Sequence, residues 1–398
     1  MESNTVEKSP ILALMLDPAT FLEESWQKRP QLIRGAFPDF VSPLTPEELA
    51  GLAMEEGVAS RIILEQGGEH PWELRLAPHD EGSFEALPET HWTLLVHEVD
   101  RLVPAVGRLL DRFRFLPNWR LDDVMISYAA PHGSVGAHLD HYDVFLLQGT
   151  GRRRWQIEST PRPLGEQSVP DLDVRLLQEF NPDQEWVLEP GDMLYLPPRF
   201  AHHGIAVDPC LTYSIGFRAP HQRELAAAYA ADFTERARAD ARYGDPDLHL
   251  QDEPGVIDDA TLERIRSLVE RVGHDNDALA DWFGRFATEP KREAPPNDDP
   301  EFEVTALRQA LADPSQQLTR SAPCRFAHHH RSDGKSSLFV GGESLLLEGE
   351  RRSFAALLSG TRALNGRSLA PYLDDASIAS ALCRWIDERH LILEKADD

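Results

Sequence analysis

The chain has 398 residues, room for two or three domains, and its 41% hydrophobic and 27% charged residues are those of an ordinary globular protein. Forty lysines and arginines against 67 aspartates and glutamates leave a formal charge of −27, which argues against nucleic acid as a partner and favours basic ones. Three scattered cysteines, Cys210, Cys324 and Cys383, form no CxxC pair, so neither a disulfide framework nor a cysteine-ligated zinc is expected. No apolar run nears the roughly 20 residues that span a bilayer. The polar start MESNTVEKSP lacks the pattern of a signal peptide, so a cytoplasmic protein without membrane contact is expected.

Taken in order, QLIRGAF after Pro30 reads as a strand, and LTPEELAGLAMEE reads as a helix. Thr45 is its N-cap, with Glu48 three residues on to close a capping box. WTLLVHEVDRLVPAVGRLLDRF, residues 92–113, spaces its apolar residues at about 3.6 and predicts an amphipathic helix, kinked at Pro104. From about 118 to 220 the pattern changes to short segments such as DDVMISYAA, DVFLLQG, RRRWQIE, MLYLPPRF and LTYSIGFRA. They are rich in β-branched and aromatic residues and punctuated by Gly and Pro, the pattern of a small barrel or double-sheet jelly roll. Residues 221–290 return to helical spacing in HQRELAAAYAADFTERARADARY, DATLERIRSLVERV and DALADWFGRFA. Such a segment either packs against the barrel or joins two copies of the chain. KREAPPNDDPEFE, residues 291–303, is a linker by composition. The remainder, with helices at VTALRQALA, SFAALLSG and ASIASALCRWIDER and a hairpin around Gly341-Gly342, reads as a winged helix. It carries no basic stripe for phosphates, so a protein-contact or structural role is expected rather than direct DNA binding.

The chemistry concentrates in His138-Leu139-Asp140 and in His202, 64 residues later. Residues i and i+2 of a strand share a face, so His138 and Asp140 can aim at one ion. Two imidazoles and a carboxylate hold a non-haem Fe(II) on one side and leave the other side open, although Mn, Co, Ni and Zn accept the same ligands. A second triplet, His141-Tyr142-Asp143, follows directly, and His203 adjoins His202. Gly191, Pro197 and His202 keep the G-x5-P-x4-H spacing of the second cupin motif, which selects His202 over His203. Arg199 stands where that motif usually has glycine. His328-His329-His330 lies near an expected turn, without a carboxylate at ligand spacing, and is not expected to bind metal.

HLDHYDVFLLQGTGRRRWQI, EPGDMLYLPPRFAHHG and YSIGFRAP together resemble the JmjC-type ribosomal oxygenases, most of all their bacterial branch of ribosomal-protein arginine hydroxylases. The resemblance covers nearly the whole chain. It implies an α+β fold: a double-stranded β-helix (jelly-roll, cupin) catalytic domain over 1–220, a helical dimerisation segment over 221–300 and a winged helix over 301–398. It implies His138, Asp140 and His202 as ligands of Fe(II), with 2-oxoglutarate and O2 as cosubstrates. It also implies that an arginine clamps the far carboxylate of 2-oxoglutarate. Alternation along the strand puts Arg153 on the face of Trp155 and Ile157, opposite Arg152 and Arg154, and the family motif selects the same residue. Ser127 resembles the position that assists this carboxylate, and Ser214 and Tyr213 are further candidates. A basic ribosomal protein is the implied substrate, and a homodimer the implied assembly. Asp122, Asp123, Tyr142 and Asp143 lie near enough in sequence to meet a substrate arginine. The competing readings are a small-molecule cupin oxygenase and a non-catalytic JmjC-like binding protein.

Overall fold

A computed structural model describes residues 14–65, 72–163, 176–246, 257–270, 276–291, 301–322 and 324–396. The described chain divides into two units, the first built on Met1–Ala219 and the second on Pro220–Thr319 and Cys324–Glu394.

In the first unit the strands are β1 (Gln31–Ile33), β2 (Ser60–Glu65), β3 (Trp72–Leu76), β4 (Trp92–Val96), β5 (Leu121–Ala129), β6 (Asp143–Thr150), β7 (Arg153–Ile157), β8 (Gln184–Leu188), β9 (Met193–Leu196), β10 (His202–Ala206) and β11 (Cys210–Phe217). Eight of them form one sheet in the order β1-β9-β6-β11-β5-β4-β2-β3, and β10-β7-β8 form a second. All the pairings are antiparallel. This is the double-sheet jelly roll expected from the strand-rich middle of the chain. It recruits four further strands, β1 to β4, from the first hundred residues.

Period-two alternation divides the large sheet into two faces. On the outer face Val124, Ile126, Phe145, Leu147, Tyr213 and Ile215 join Phe21, Phe37 and Leu49 in the largest buried cluster. Each such fully buried side chain contributes about 1.5–3 kcal/mol. The helix Pro46–Met54 closes this face, and Thr45 and Glu48 make the expected capping box. The inner face meets the small sheet through Val144, Leu146, Leu194 and Leu196 on one side and Trp155, Ile157 and Leu188 on the other.

The helix expected over 92–113 is not formed as such. Trp92–Val96 is strand β4, followed by two short helices, Val99–Leu102 and Pro104–Leu109. Leu94 and Val96 enter the outer core, whereas Thr93 and Leu95 are buried on the other face. A segment buried on both faces has no polar positions to mark its period. Pro104 starts the second helix instead of kinking a longer one, since its missing N–H costs nothing at that position.

In the second unit the expected helices are Gln222–Arg236, Asp259–Glu270 and Asn276–Thr288. Trp282 stacks on Phe286 with centroids 5.7 Å apart and meets Tyr229 edge-on at 4.8 Å, while Arg285 bonds Asp232 at 2.6 Å. These contacts pair the first helix with the third. The linker expected over 291–303 lies mostly outside the described residues.

Beyond it come β12 (Gln316–Arg320), β13 (Phe326–His330), β14 (Ser336–Val340), β15 (Glu343–Leu347), β16 (Ala363–Asn365) and β17 (Leu391–Lys395). The expected helices are Val304–Leu311, Arg352–Gly360 and Ala376–Asp387. The hairpin around Gly341 and Gly342 joins β14 to β15. The three histidines 328–330 end β13, paired along their length with β14, and the expected turn, Arg331–Lys335, follows them directly.

Candidate active site

The segment carrying His138 is held to β10 by two backbone hydrogen bonds, His138 N to the His202 carbonyl at 3.0 Å and the reverse at 2.9 Å. It forms a single bridge there, not the regular strand its spacing predicts. The bridge places the imidazoles side by side, ring centroids 4.3 Å apart. Asp140 Oδ2 lies 3.7 Å from His202 Nε2. One ligand atom from each of His138, Asp140 and His202 falls within 4.8 Å of the others.

Each histidine bonds a carbonyl two residues back: His138 Nδ1 donates to Gly136 at 3.0 Å and His202 Nδ1 to Phe200 at 2.9 Å. A carbonyl only accepts, so both rings carry their proton on Nδ1 and leave the Nε2 lone pair free. That is the tautomer a metal requires, fixed before any metal arrives. Burial, and then the neighbouring His138, hold His202 down at about 4, so it stays neutral near pH 7.

The turn that delivers His202 depends on backbone conformation. Gly191 has φ +86°, and a Cβ there would lie 2.5 Å from the Phe37 carbonyl oxygen. Asp192 accepts from the Gly35 amide at 2.8 Å and from Arg34 at 2.6 Å. Arg199 takes φ 71°, the left-handed conformation that glycine adopts without strain, and its amide donates to the Asp140 carbonyl at 2.7 Å. The departure from the cupin pattern is thus absorbed as backbone strain, and the turn is kept.

Arg153, on the face of β7 that carries Trp155 and Ile157, points between the two sheets and is 2% exposed. Its guanidinium lies over Trp155, 5.1 Å from the ring centroid, and donates to Ser127 Oγ at 3.3 Å and to the Gly204 carbonyl at 3.2 Å. Its Nε has no partner, and no described carboxylate pairs with it. Burial lowers its pKa, and the Cys210 thiol offsets this in part. A buried cation without an anion is unstable on its own, so the residues fit a ligand that brings a carboxylate. Arg152 by contrast pairs with Asp208 at 2.8 Å.

Ser127 shares its sheet face with Thr212, its pairing partner, and Thr212 pairs onward with Gln148. Thr212 Oγ1 donates to Gln148 Oε1 at 3.3 Å. Ser214 lies two residues along on this inner face and is half-buried. Among the described hydrogen bonds none joins it to Arg153. Thr212 and Gln148 escaped the sequence reading because only register places them beside Ser127.

Five other residues singled out in the sequence stand elsewhere. Tyr213 is buried on the outer face, its hydroxyl 2.8 Å from Ser42 Oγ. Asp143 is also on that face, fully buried and bonded to Arg120 at 2.7 Å, Tyr195 at 2.6 Å and Gln27 at 2.9 Å. It cannot reach a substrate, and with His141 exposed the second triplet makes no site. Alternation puts Asp122 on the outer face with Val124. His203 points away from His202 and bonds Ser134 Oγ at 2.9 Å. Asp123 and Tyr142 remain near the ligands. The Asp140 carboxylate takes the Tyr142 hydroxyl's hydrogen bond and raises its pKa, with burial and the Asp123 charge adding to the rise. Tyr142 is nonetheless 42% exposed, which places it at the mouth of the site.

The comparisons with known proteins agree with this architecture. The JmjC domain family matches residues 108–225, and the ROXA-like winged helix family matches residues 271–391. The chain is 34% identical to the ribosomal protein uL16 3-hydroxylase of Escherichia coli, over 96% of this chain and 99% of that one. It is 28% identical to a probable ribosomal oxygenase of Haemophilus influenzae, over 95% and 96%. The crystal structure of E. coli ycfD superposes with a TM-score of 0.86 at 32% identity, covering 96% of this chain and 100% of that one. A structure of the E. coli ribosomal oxygenase YcfD with cobalt and 2-oxoglutarate superposes at 0.82, with 33% identity and coverage of 96% and 99%. The chain belongs to the JmjC-domain ribosomal oxygenases.

Proposed function

We propose that the chain is an Fe(II)- and 2-oxoglutarate-dependent protein hydroxylase whose substrate is an arginine of the large-subunit ribosomal protein uL16. One observation carries the reading: a buried Arg153 without a carboxylate lies over the Trp155 ring, which in turn meets His202 of the two preset histidines grouped with Asp140. The activity of the E. coli uL16 3-hydroxylase and the 2-oxoglutarate bound in the structure of E. coli YcfD support this substrate and cosubstrate.

His138, Asp140 and His202 hold the metal on one side and leave the opposite positions to ligands. Arg153, with Ser127 beside it, receives the far carboxylate of 2-oxoglutarate, and Ser214 lines the same face. When bound, iron and 2-oxoglutarate supply the oxidative decarboxylation that transfers one oxygen of O2 to a C–H bond. The chain's residues provide position and dryness, not a general base. Ile157, Leu146 and Leu194 keep water from the layer behind the site. Asp123 and Tyr142 at the mouth receive the substrate guanidinium, and the −27 charge draws in a basic protein.

The helical segment supports a homodimer. Leu262, Ile265 and Val269 are exposed along one face of Asp259–Glu270, a stripe left for a second copy. The winged helix serves protein contact. Among the described residues no helix is long and apolar enough to cross a membrane.

The test incubates the protein with Fe(II), 2-oxoglutarate, O2 and uL16. Mass spectrometry is expected to find one added oxygen on an arginine. Succinate without a modified protein would rule out this substrate.

A further inference from the structure

Arg61 of β2 stands on the inner face of the large sheet and is absent from every role assigned above. Register fixes its place: Thr212 pairs with Ser127, Ser127 with Leu95, Leu95 with Arg61, and Arg61 with Leu76. Residues directly opposite on paired strands share a face, so this row runs from the clamp of the site to the open end of the sheet. Arg61 lies two strands from Ser127, roughly 10 Å. The apolar layer between the two sheets draws on β1, β6, β7, β8 and β9 and on no residue of β2, β3 or β4. The row therefore emerges from under the small sheet, and Leu76 at its end is 65% exposed.

The guanidinium of Arg61 has no hydrogen bond or ion pair with any described residue, and its Nε is buried without a partner. A half-buried cation with five donors and no acceptor is costly unless a ligand supplies one. The ligand expected here is a basic polypeptide, which has no anion to spare at this point but offers a carbonyl oxygen at every residue. With its target side chain beside the metal ligands, its main chain must run out past the open end of the sheet, where the row puts Arg61.

We infer that Arg61 is a substrate-positioning residue that donates to main-chain carbonyl oxygens of the polypeptide flanking the target residue. The inference rests on the polypeptide-substrate reading above. It assigns β2–β3 to substrate alignment, separate from the metal and 2-oxoglutarate contacts.

The test measures KM separately for a uL16 peptide and for 2-oxoglutarate. Arg61→Gln is expected to raise the peptide KM about tenfold, the worth of one charge-assisted hydrogen bond, while the 2-oxoglutarate KM stays in place. Arg61→Lys, which keeps a positively charged donor where Gln keeps only a neutral one, is expected to recover most of that loss. A second measurement needs no variant: peptides with one amide at a time replaced by an ester, a weaker acceptor, are expected to include one whose KM rises. An unchanged peptide KM in Arg61→Gln, an equal rise in both KM values, or an ester series without effect would overturn the inference. A wild-type protein that leaves the peptide unmodified would instead overturn the substrate reading, and this inference with it.

Discussion

The two faces of the large sheet carry nearly the same chemical groups and put them to different use. On the outer face Asp143 and Arg120 satisfy each other, Arg120 lies 5.4 Å from the Trp26 ring centroid, and Tyr195 and Gln27 complete the carboxylate's bonds. Facing the inner side, Arg153 of the small sheet lies over Trp155 in the same way, and Asp140 stands three residues before Asp143, yet among the described residues Arg153 has no carboxylate partner and Asp140 pairs with no lysine or arginine. The outer set is finished on folding and holds the N-terminal elements to the sheet. The inner set is left with open valences, and open valences that folding has already paid to bury are what a metal and a dicarboxylate can fill.

The largest effect expected from breaking this contrast is on the inner face. His202→Ala removes a ligand whose tautomer the fold has preset, and hydroxylation of uL16 is expected to fall by at least about a thousandfold. Mass spectrometry of the product checks this. On the outer face Asp143→Asn leaves Arg120 buried without a counter-charge, and unfolding by denaturant is expected to become easier by about 3–5 kcal/mol. Arg153→Gln sharpens the comparison, because it removes a cation that has no counter-charge among the described residues to lose. Its KM for 2-oxoglutarate is expected to rise about a hundredfold. Its thermal midpoint without 2-oxoglutarate is expected to hold or rise, opposite to Asp143→Asn.

Asp100 gives a smaller, pH-dependent test. It is 2% exposed, accepts from the Val124 amide at 2.9 Å and has no cation partner; burial raises it to about 7. The unfolded value is about 3.9. Between the two the folded protein keeps a proton that the unfolded chain has lost, so stability falls as pH rises through that window and is lowest above it. From pH 5 to pH 8 the loss is expected to be about 2–3 kcal/mol. Asp100→Asn retains the acceptor for Val124, and its denaturation curves are expected to lack that slope. The smallest effect belongs to the second triplet: His141→Ala, at an exposed position, is expected to change kcat by less than about twofold.

Much of the site was legible in the sequence because its rules are local. The spacing of His138 and Asp140, the frame from Gly191 through Pro197 to His202, and the alternation that points Arg153 with Trp155 all act within a few residues. The capping box at Thr45 is local as well. What escaped depended on distant partners. Trp92–Val96 was read as the start of a helix because burial on both faces erased its period, and its strand neighbours, β2 and β5, lie about 30 residues away on either side. Asp143 was offered to the substrate because nothing near it announces Arg120, Tyr195 and Gln27. Arg199 appeared to threaten a turn that its positive φ preserves.

The most direct measurement adds 2-oxoglutarate to the Fe(II)-loaded protein in the absence of oxygen and follows the visible absorption of the chelate. The band is expected to saturate at about one equivalent in the wild-type protein and in folded Asp143→Asn, to need far more 2-oxoglutarate in Arg153→Gln, and to be absent in His202→Ala. A band of full strength in His202→Ala, or unchanged 2-oxoglutarate binding in Arg153→Gln, would contradict the assignment of the inner face as the site.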